Sequence, residues 1–216
     1  MRQYFKHNAV VLFQGDSITD CGRTDSSNRP NAMGNGYPAK IQAIYQALFP
    51  AADVTFINRA VSGNRVRDLL ARYENDFLAV QPDFISILIG INDTWRGFDN
   101  GDPCPLARFR KEYTELLKKI KNDMPTAEVM LITPFLTHTD PNKIQWHGDL
   151  DPKIECVKAL AEQFDCILFD YDSILRRLLA DAVYTDPSLS ADGVHPTDLG
   201  QSQLAVSYLQ KLKILD

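Results

Sequence analysis

The sequence predicts an α/β fold, a three-layer α/β/α sandwich built around a parallel sheet. Short apolar runs alternate with amphipathic stretches five times along the 216 residues. The interiors of these runs are almost continuously apolar, which is typical of strands that a parallel sheet buries on both faces. Alternation of strand and helix with short connections indicates that helices cover both faces of one sheet. Because no repeat, low-complexity tract or linker divides the chain, we expect residues 1–216 to form a single domain.

Residue types and their spacing predict each element. The predicted strands are short and rich in β-branched and aromatic residues. The predicted helices show apolar residues at three- and four-residue steps, as Phe109, Tyr113 and Leu116 do. Segments 20–36 and 136–150 are predicted to be loops, and long loops often carry function. The predicted strands span 8–15, 53–61, 83–90, 127–135 and 166–171, and the predicted helices span 37–49, 65–80, 106–124, 151–164, 172–181 and 197–215.

Composition and charge exclude several classes of protein. The chain is 44% hydrophobic and 24% charged, which is ordinary for a globular protein. Its net charge is −5 and its basic residues are interspersed with acids, so we expect no nucleic-acid partner. We also expect a cytoplasmic protein without a membrane partner, because the sequence shows neither a membrane span nor a signal-peptide pattern. The cysteines lack paired spacing and are expected to be reduced thiols: Cys21, Cys104, Cys156 and Cys166.

Polar motifs follow the first three predicted strands. Ser17 lies in GDSITD after the first strand, SGNR (62–65) follows the second, and GINDTWR (90–96) follows the third. Because the carboxyl ends of parallel strands meet at one edge of the sheet, we expect these motifs to converge where ligands bind in such folds. A fourth motif, SADGVHP, places Asp192 and His195 three residues apart, just before the last predicted helix.

Together, these residues supply the groups that acyl transfer through serine requires. Ser17, at a turn from strand to helix, would present its Oγ as the nucleophile. His195 would act as the general base, and Asp192 would orient the imidazole ring. The backbone N–H groups of Ser17 and Gly63 and the side-chain amide of Asn92 would stabilise the oxyanion.

Each of these residues also has a structural interpretation when it is taken alone. Serine favours helix starts, glycine and asparagine favour turns, and His195 could be a surface histidine. Their occurrence in order at strand ends favours catalysis instead. Asp186 and Asp198 also lie near His195, but Asp192 alone has a glycine turn, at Gly193, between itself and the histidine. We therefore predict a hydrogen bond from His195 Nδ1 to Asp192.

Several residues beside the motifs are candidates for substrate binding. For Trp95 and Arg96, a packing or interfacial role is equally open. Asp16, together with Asp20 and Asp93, is also interpreted as a helix cap or loop brace. The candidate substrate-binding residues are Asp16, Asn64, Trp95 and Arg96.

The histidines outside the fourth motif indicate no metal site. His7, His138 and His147 share no ligand-like spacing with cysteines or carboxylates. The nucleophile, base and oxyanion donors predicted above come from side chains and backbone alone. We therefore expect no bound metal.

In their order along the chain, the motifs resemble the sequence blocks of the SGNH, or GDSL, hydrolase family. GDS alone is a weak signal, whereas four blocks in order across nearly the whole chain are a specific one. The resemblance implies a flavodoxin-like sheet of five parallel strands in the order 2-1-3-4-5, and ester hydrolysis without metal or cofactor. The blocks are GDSITD with Ser17, SGN with Gly63, GINDTW with Asn92, and DGVHP with Asp192 and His195.

Within that family, the chain is similar to the bacterial carbohydrate acetylesterases of the acetylxylan esterase type. GDSITDCGR, SGNRVRDL and IGINDTWR carry this similarity, which implies a small acylated substrate such as an acetylated sugar. Ala191 departs from the pattern, which has an aromatic residue before the motif aspartate. Two alternatives stay open: a lysophospholipase or thioesterase acting on longer acyl chains, and a non-catalytic carbohydrate-binding protein of the same fold. A homo-oligomeric state is also open.

Overall fold

The structure, a computed structural model, describes residues 1–24 and 31–216. Residues 25–30, which belong to the predicted loop 20–36, lie outside the described residues. The strands within the described ranges are β1 (Val10–Gly15), β2 (Thr55–Asn58), β3 (Phe84–Leu88), β4 (Glu128–Ile132) and β5 (Ile167–Phe169). They form one parallel sheet in the order β2-β1-β3-β4-β5, which confirms the predicted fold class and strand order.

The sheet separates two apolar cores, because neighbouring residues of a strand point to opposite faces. In β1, Val11 and Phe13 pack in one core, whereas Leu12 packs in the other. Phe84 and Ile85 of β3 divide between the two cores in the same way. Burial on both faces explains why the strands are continuously apolar in the sequence.

Helices form the outer two layers. One helix pair packs on one face of the sheet and three other helices pack side by side on the opposite face. No helix in the described ranges combines the length and the apolar composition needed to cross a bilayer. The helices are α1 (Ser17–Asp20), α2 (Tyr37–Leu48), α3 (Val66–Ala71), α4 (Ile91–Asp99), α5 (Leu106–Asp123), α6 (His147–Gln163), α7 (Tyr171–Ala180), α8 (Asp186–Leu189) and α9 (Asp198–Lys211). The pair is α2 with α9, and the three neighbours are α3, α5 and α6.

The predicted loop 136–150 is wrong over its second half. A 3₁₀ helix spans Pro141–Trp146, and α6 begins at His147 rather than at residue 151. Because proline is typical of a first helical turn, Pro152 predicts a helix start at residue 151, which is later than the observed start. Trp146 and Leu150 are buried in the core, and this packing keeps the preceding turns helical.

Two other elements differ from the prediction. The predicted helix 65–80 divides into α3 and a π-helical turn at Glu74–Leu78. The motif GINDTWR, predicted only to follow a strand, forms most of the first two turns of α4. Asn92, Asp93 and Thr94 are buried polar residues of this helix, although Ile91, Trp95 and Phe98 recur at the four- and three-residue steps that indicate a helix.

A close backbone contact holds α9 against α8 and places the segment between them. A Cβ atom built on Gly200 would lie 2.1 Å from the carbonyl oxygen of Leu189 and 2.9 Å from Cβ of Pro196. Thr197 caps α9 by accepting a hydrogen bond from Gly200 N at 3.1 Å. Only glycine fits this position without moving residues 190–197, which we call the acid–base segment.

We expect Gly200→Ala to destabilise the fold by roughly 2–3 kcal/mol, because the new methyl group overlaps backbone that cannot rotate away. Gly148→Ala is the matched control, since a Cβ atom at that helical position meets nothing within 4 Å. Alanine there should be neutral or stabilising by up to about 1 kcal/mol. Urea unfolding of both variants measures the difference. Equal stability of the two variants would contradict the close packing of α8 and α9.

Candidate active site

Ser17 lies at a tight turn between β1 and α1. Asp16 caps this short helix by accepting a hydrogen bond from Ile18 N at 3.0 Å, so Ser17 is its first residue, as the sequence predicts. A Cβ atom on Gly15 would lie 2.4 Å from the carbonyl oxygen of Leu88, at the end of the neighbouring strand β3. The turn therefore packs directly against the carboxyl edge of the sheet, and the side chain of Ser17 stays partly exposed.

Ser17, His195 and Asp192 form a continuous chain of hydrogen bonds. Ser17 Oγ lies 2.9 Å from His195 Nε2. His195 Nδ1 lies 2.7 Å from Asp192 Oδ2, which confirms the predicted hydrogen bond. This arrangement allows Nε2 of the imidazole to accept the serine proton while the carboxylate holds the opposite nitrogen.

Asp192 is held as a carboxylate by the turn that contains it. Partial burial alone would raise the pKa of Asp192, but hydrogen bonds from the His195 ring and from the backbone N–H groups of His195 and Val194 outweigh it and lower the pKa to about 2. The two backbone groups donate to Oδ1 at 2.7 and 2.9 Å. Asp192 is therefore ionised at neutral pH and can stabilise a protonated His195.

The two alternative acids are engaged elsewhere. Asp186 Oδ1 accepts a hydrogen bond from the backbone N–H of His138 at 2.6 Å. Asp198 lies in the first turn of α9, where it was predicted, and accepts a hydrogen bond from Lys40 Nζ at 2.8 Å. Neither carboxylate forms the hydrogen bond to His195 that Asp192 makes.

Gln201 connects the nucleophile turn to the helix that follows the acid–base segment. Its side chain, buried in α9, donates to the carbonyl oxygen of Ile18 at 3.1 Å and accepts from Tyr37 N at 2.8 Å. These bonds join α9 to α1 and to the start of α2. The position of His195 relative to Ser17 is therefore fixed through a polar contact inside an apolar core.

The candidate oxyanion donors lie on two turns that are bonded to each other. Gly63 has a φ of 82° and an open environment, so its turn leaves room for a substrate oxygen. Asn92 Nδ2 donates to the backbone carbonyl of Asn64 at 3.1 Å, and Arg96 Nη2 donates to Asn92 Oδ1 at 3.3 Å. Asp20 accepts from Ser62 N at 2.8 Å, which ties the Gly63 turn to α1. The hydrogen bonds to Asn64 and from Arg96 therefore fix the orientation of the Asn92 amide, one through its nitrogen and the other through its oxygen.

The candidate substrate-binding residues are mostly engaged in protein contacts. Asp16 is 1% exposed and caps α1, a placement that favours its interpretation as a cap. Asn64 accepts a hydrogen bond from Arg72 Nε at 2.8 Å. Arg96 pairs with Asp99 and orients Asn92. Trp95 packs beside the His195 ring, with 5.8 Å between ring centroids.

Lys143 is a site residue that the sequence analysis does not identify. Its Nζ donates to the backbone carbonyl of Asp192 at 2.5 Å and lies 3.9 Å from Asp192 Oδ2. The same ammonium group lies over the rings of Trp95 and Trp146, 5.2 and 5.6 Å from their centroids. The attraction between a cation and an aromatic ring is stronger where water is excluded, and Lys143 is largely buried.

Further hydrogen bonds join the segment around Lys143 to the acid–base segment. Thr137 N donates to the carbonyl oxygen of Gly193 at 2.9 Å. Thr139 Oγ1 donates to the carbonyl oxygen of Ser190 at 2.7 Å. Because these contacts are between distant parts of the chain, no local motif in the sequence signals them.

Two buried carboxyl groups lie beneath the site. Burial raises the pKa of Asp16 to about 7, against the opposing hydrogen bond from Ile18 N, and the charge of Asp93 raises it further. Burial also raises the pKa of Asp93 to about 7, although hydrogen bonds from Cys104 and Val66 N oppose the shift. Asp93 accepts from Val66 N at 3.3 Å, so it braces α3 against α4.

One group of three mutually close ligand-type side chains occurs beneath α4 within residues 1–24 and 31–216. Oxygen and sulfur atoms of Asp93, Cys104 and Glu112 lie within 4.8 Å of one another. Arg108 Nε lies 3.8 Å from Glu112 Oε1 and supplies a positive charge there. We interpret the group as a structural cluster in which Arg108 offsets part of the negative charge. Cys104 is a free thiol, as are Cys21, Cys156 and Cys166.

A sequence model of a protein family matches most of the chain. Residues 13–203 match the GDSL-like lipase/acylhydrolase family, a range that contains Ser17, Gly63, Asn92 and both residues of the fourth motif. The chain belongs to this family. An acetylxylan esterase from Geobacillus stearothermophilus is 34% identical over 209 residues, which cover 94% of this chain and 93% of the relative. The GDSL-family assignment and this relative support the coarser functional prediction, a carboxylic ester hydrolase.

Solved structures of other proteins match the fold along its length. A protein from Parabacteroides merdae with a provisional assignment as a GDSL-like lipase superposes with a TM-score of 0.91 at 32% identity, covering 97% of this chain and 98% of that one. An α/β hydrolase from the metagenome of Lake Arreo gives a TM-score of 0.87 at 32% identity and 99% coverage of both chains. Catalytic mutants of the Geobacillus acetylxylan esterase, in which a histidine, an aspartate or a serine is replaced by alanine, give TM-scores from 0.84 to 0.86.

We expect Asp192→Asn in this GDSL-family chain to lower kcat by about 10⁴-fold, the loss seen when the orienting acid of a serine protease is amidated. The amide would favour the wrong tautomer of His195 while leaving the fold intact. Asp198→Asn is the matched control, because its carboxylate pairs with Lys40 at the surface. Steady-state kinetics with an activated acetyl ester measures both variants. Comparable activity in the two would remove Asp192 from the mechanism.

Asp16 should make stability depend on pH. A folded-state pKa of about 7, against an ordinary value of 3.8, means that folding takes up a proton between these values. The free energy of unfolding therefore falls as pH rises from about 4 to 7, by at most about 1.4 kcal/mol per pH unit for one proton. Asp16→Asn should reduce the change in the free energy of unfolding with pH. The part of this change that is due to Asp93 should remain. Urea unfolding at pH 5, 6 and 7 measures the slope, and an unchanged slope would show that Asp16 does not take up this proton.

Proposed function

We propose that the protein is a serine esterase that removes small acyl groups, chiefly acetyl, from carbohydrates. The observation that carries the proposal is the hydrogen-bond chain from Ser17 through His195 to Asp192, with distances of 2.9 and 2.7 Å, beside the open turn at Gly63. A nucleophile, a base and an orienting acid in hydrogen-bond contact are the minimum arrangement for acyl transfer through serine. A carbohydrate-binding protein of the same fold would have no use for a base beside a partly exposed serine.

In the first half of the proposed reaction, Ser17 Oγ attacks the ester carbonyl carbon while His195 Nε2 takes the serine proton. The negative charge on the carbonyl oxygen is stabilised by the N–H groups of Ser17 and Gly63 and by the amide of Asn92. Asp192 stabilises the imidazolium that forms. When the tetrahedral intermediate collapses, the bond to the alcohol breaks, and His195 returns its proton to the alcohol oxygen.

In the second half, water replaces the alcohol. His195 Nε2 takes a proton from the water as its oxygen attacks the acyl carbon on Ser17. Collapse of the second tetrahedral intermediate breaks the bond to Ser17 Oγ, which receives the proton from His195. A carboxylic acid leaves, and the serine hydroxyl is restored.

The similarity to an acetylxylan esterase over 94% of the chain supports an acetylated carbohydrate as the substrate. Trp95 lies beside His195 and packs on Trp146 with 5.4 Å between ring centroids, so aromatic rings border the proposed base. Ala191 presents a methyl group where the resemblance implies an aromatic ring. Trp95 is then the aromatic side chain that we expect to contact the sugar.

Replacing the proposed nucleophile tests the mechanism. Ser17→Ala should lower kcat by about 10⁴-fold or more, because the hydroxyl that would form the acyl-enzyme is removed. Its melting temperature should change little, since a small, partly exposed hydroxyl is lost. Ser202→Ala, on the surface of α9, is the matched control and should keep full activity. The mechanism fails if Ser17→Ala retains most of its turnover of p-nitrophenyl acetate.

Acyl chain length and the alcohol are tested separately. The wild-type protein should hydrolyse acetyl esters with a higher kcat/KM than octanoyl esters, and it should release acetate from acetylated xylo-oligosaccharides, as followed by NMR. A preference for octanoyl esters would favour a lysophospholipase or thioesterase. Hydrolysis of p-nitrophenyl acetate without release of acetate from the oligosaccharides would keep the serine mechanism and reject the carbohydrate substrate.

A further inference from the structure

Two histidines that are nine residues apart in sequence meet at the surface. His138 follows β4, and His147 is the first residue of α6. Their Nε2 atoms lie 3.1 Å apart, and their ring planes cross at 86°. We propose that this pair binds one divalent transition-metal ion, with Zn²⁺ as the ion to test. This site is separate from the proposed ester hydrolysis.

The separation of the two nitrogens suits a shared ion. Zinc binds imidazole nitrogen at about 2.0–2.1 Å, and tetrahedral geometry then holds two such ligands roughly 3.3 Å apart. The observed 3.1 Å differs by about 0.2 Å, which a small rotation of the exposed His138 ring would supply. Imidazole ligands suit zinc, nickel and copper rather than magnesium or calcium.

Asp151 prepares His147 to be a ligand. Its Oδ1 lies 2.8 Å from His147 Nδ1, one helical turn further along α6. A carboxylate that accepts the Nδ1 proton leaves the lone pair of a neutral ring on Nε2, the atom that faces His138. Metal-binding histidines in proteins usually have such a carboxylate or carbonyl partner, which fixes the ring and raises its basicity.

The charges around the pair favour a cation. Arg176 Nη2 donates to Asp151 at 3.0 Å and lies 3.5 Å from His147 Nδ1. Its positive charge is offset by Asp151 together with Asp172, whose Oδ2 accepts from Arg176 Nε at 2.7 Å. Asp186 adds a further negative charge beside the backbone of His138. Three carboxylates and one guanidinium leave a net charge of −2 before an ion binds.

Two protein ligands leave coordination positions for water. The ion would close the segment from residue 138 to 147, which includes Lys143. Since Lys143 bonds the backbone of Asp192, an ion at the histidine pair would hold this segment without touching Ser17 or His195. Binding should therefore raise thermal stability, because the folded state brings the two ligands together and the unfolded chain does not.

Calorimetric titration of untagged, EDTA-dialysed protein with ZnCl₂ tests the proposal. We expect saturable binding of one ion per chain and a rise in melting temperature. His138→Gln and His147→Gln should each weaken binding by at least 10-fold and abolish the rise. Asp151→Asn should weaken binding by about 10–100-fold, as expected when the carboxylate behind a ligating histidine is removed.

Two control variants locate the ion. His7→Gln and His195→Gln should bind Zn²⁺ as the wild type does, because neither residue belongs to the pair. The proposal is overturned by the absence of saturable binding, by binding that His138→Gln and His147→Gln leave unchanged, or by binding that His195→Gln abolishes. Circular dichroism of each variant confirms that a loss of binding is not a loss of fold.

Discussion

The contact between Ser17 and His195 joins residues that are 178 positions apart, and the hydrogen bonds of Gln201 support it. Gln201 reaches from α9 to the carbonyl of Ile18 on one side and to the amide of Tyr37 on the other. An apolar side chain at that position would pack in the same core but would leave both backbone groups without partners, a cost of about 1–3 kcal/mol each. The buried amide of Gln201 therefore fixes the orientation of the segments that it joins. The apolar packing around it is non-directional and does not.

The sequence predicts those parts of the fold and site that depend on local pattern. The strand cores are predictable because burial on both faces demands continuous apolar residues, and the motif order places Ser17, Gly63 and Asn92 at one edge of the sheet. The Asp192–His195 contact is predictable because a glycine turn joins the two residues. That the chain forms a single domain stays a prediction.

The parts that the sequence does not predict depend on tertiary contacts. Helix α4 is short, and it buries Asn92 and Asp93, which form hydrogen bonds to distant parts of the chain. The start of α6 is set by the burial of Trp146 and Leu150 rather than by a capping residue. Lys143 belongs to no recognised motif: besides its ion pair with the nearby Asp140, its partners are the distant Asp192 and two aromatic rings. The meeting of His138 and His147 likewise follows from the 3₁₀ helix between them.

The exposed turn at Gly63 has a consequence for the kinetics of the enzyme. Among residues 1–24 and 31–216, a Cβ atom there would meet nothing within 4 Å, so the proposed oxyanion position faces open space. The alcohol portion of an ester can therefore extend away from the protein, whatever its length, and leave by diffusion. Water reaches the acyl-enzyme by the same route. Because water is far more concentrated than any dissolved sugar, hydrolysis should dominate over transfer of the acyl group to a second alcohol.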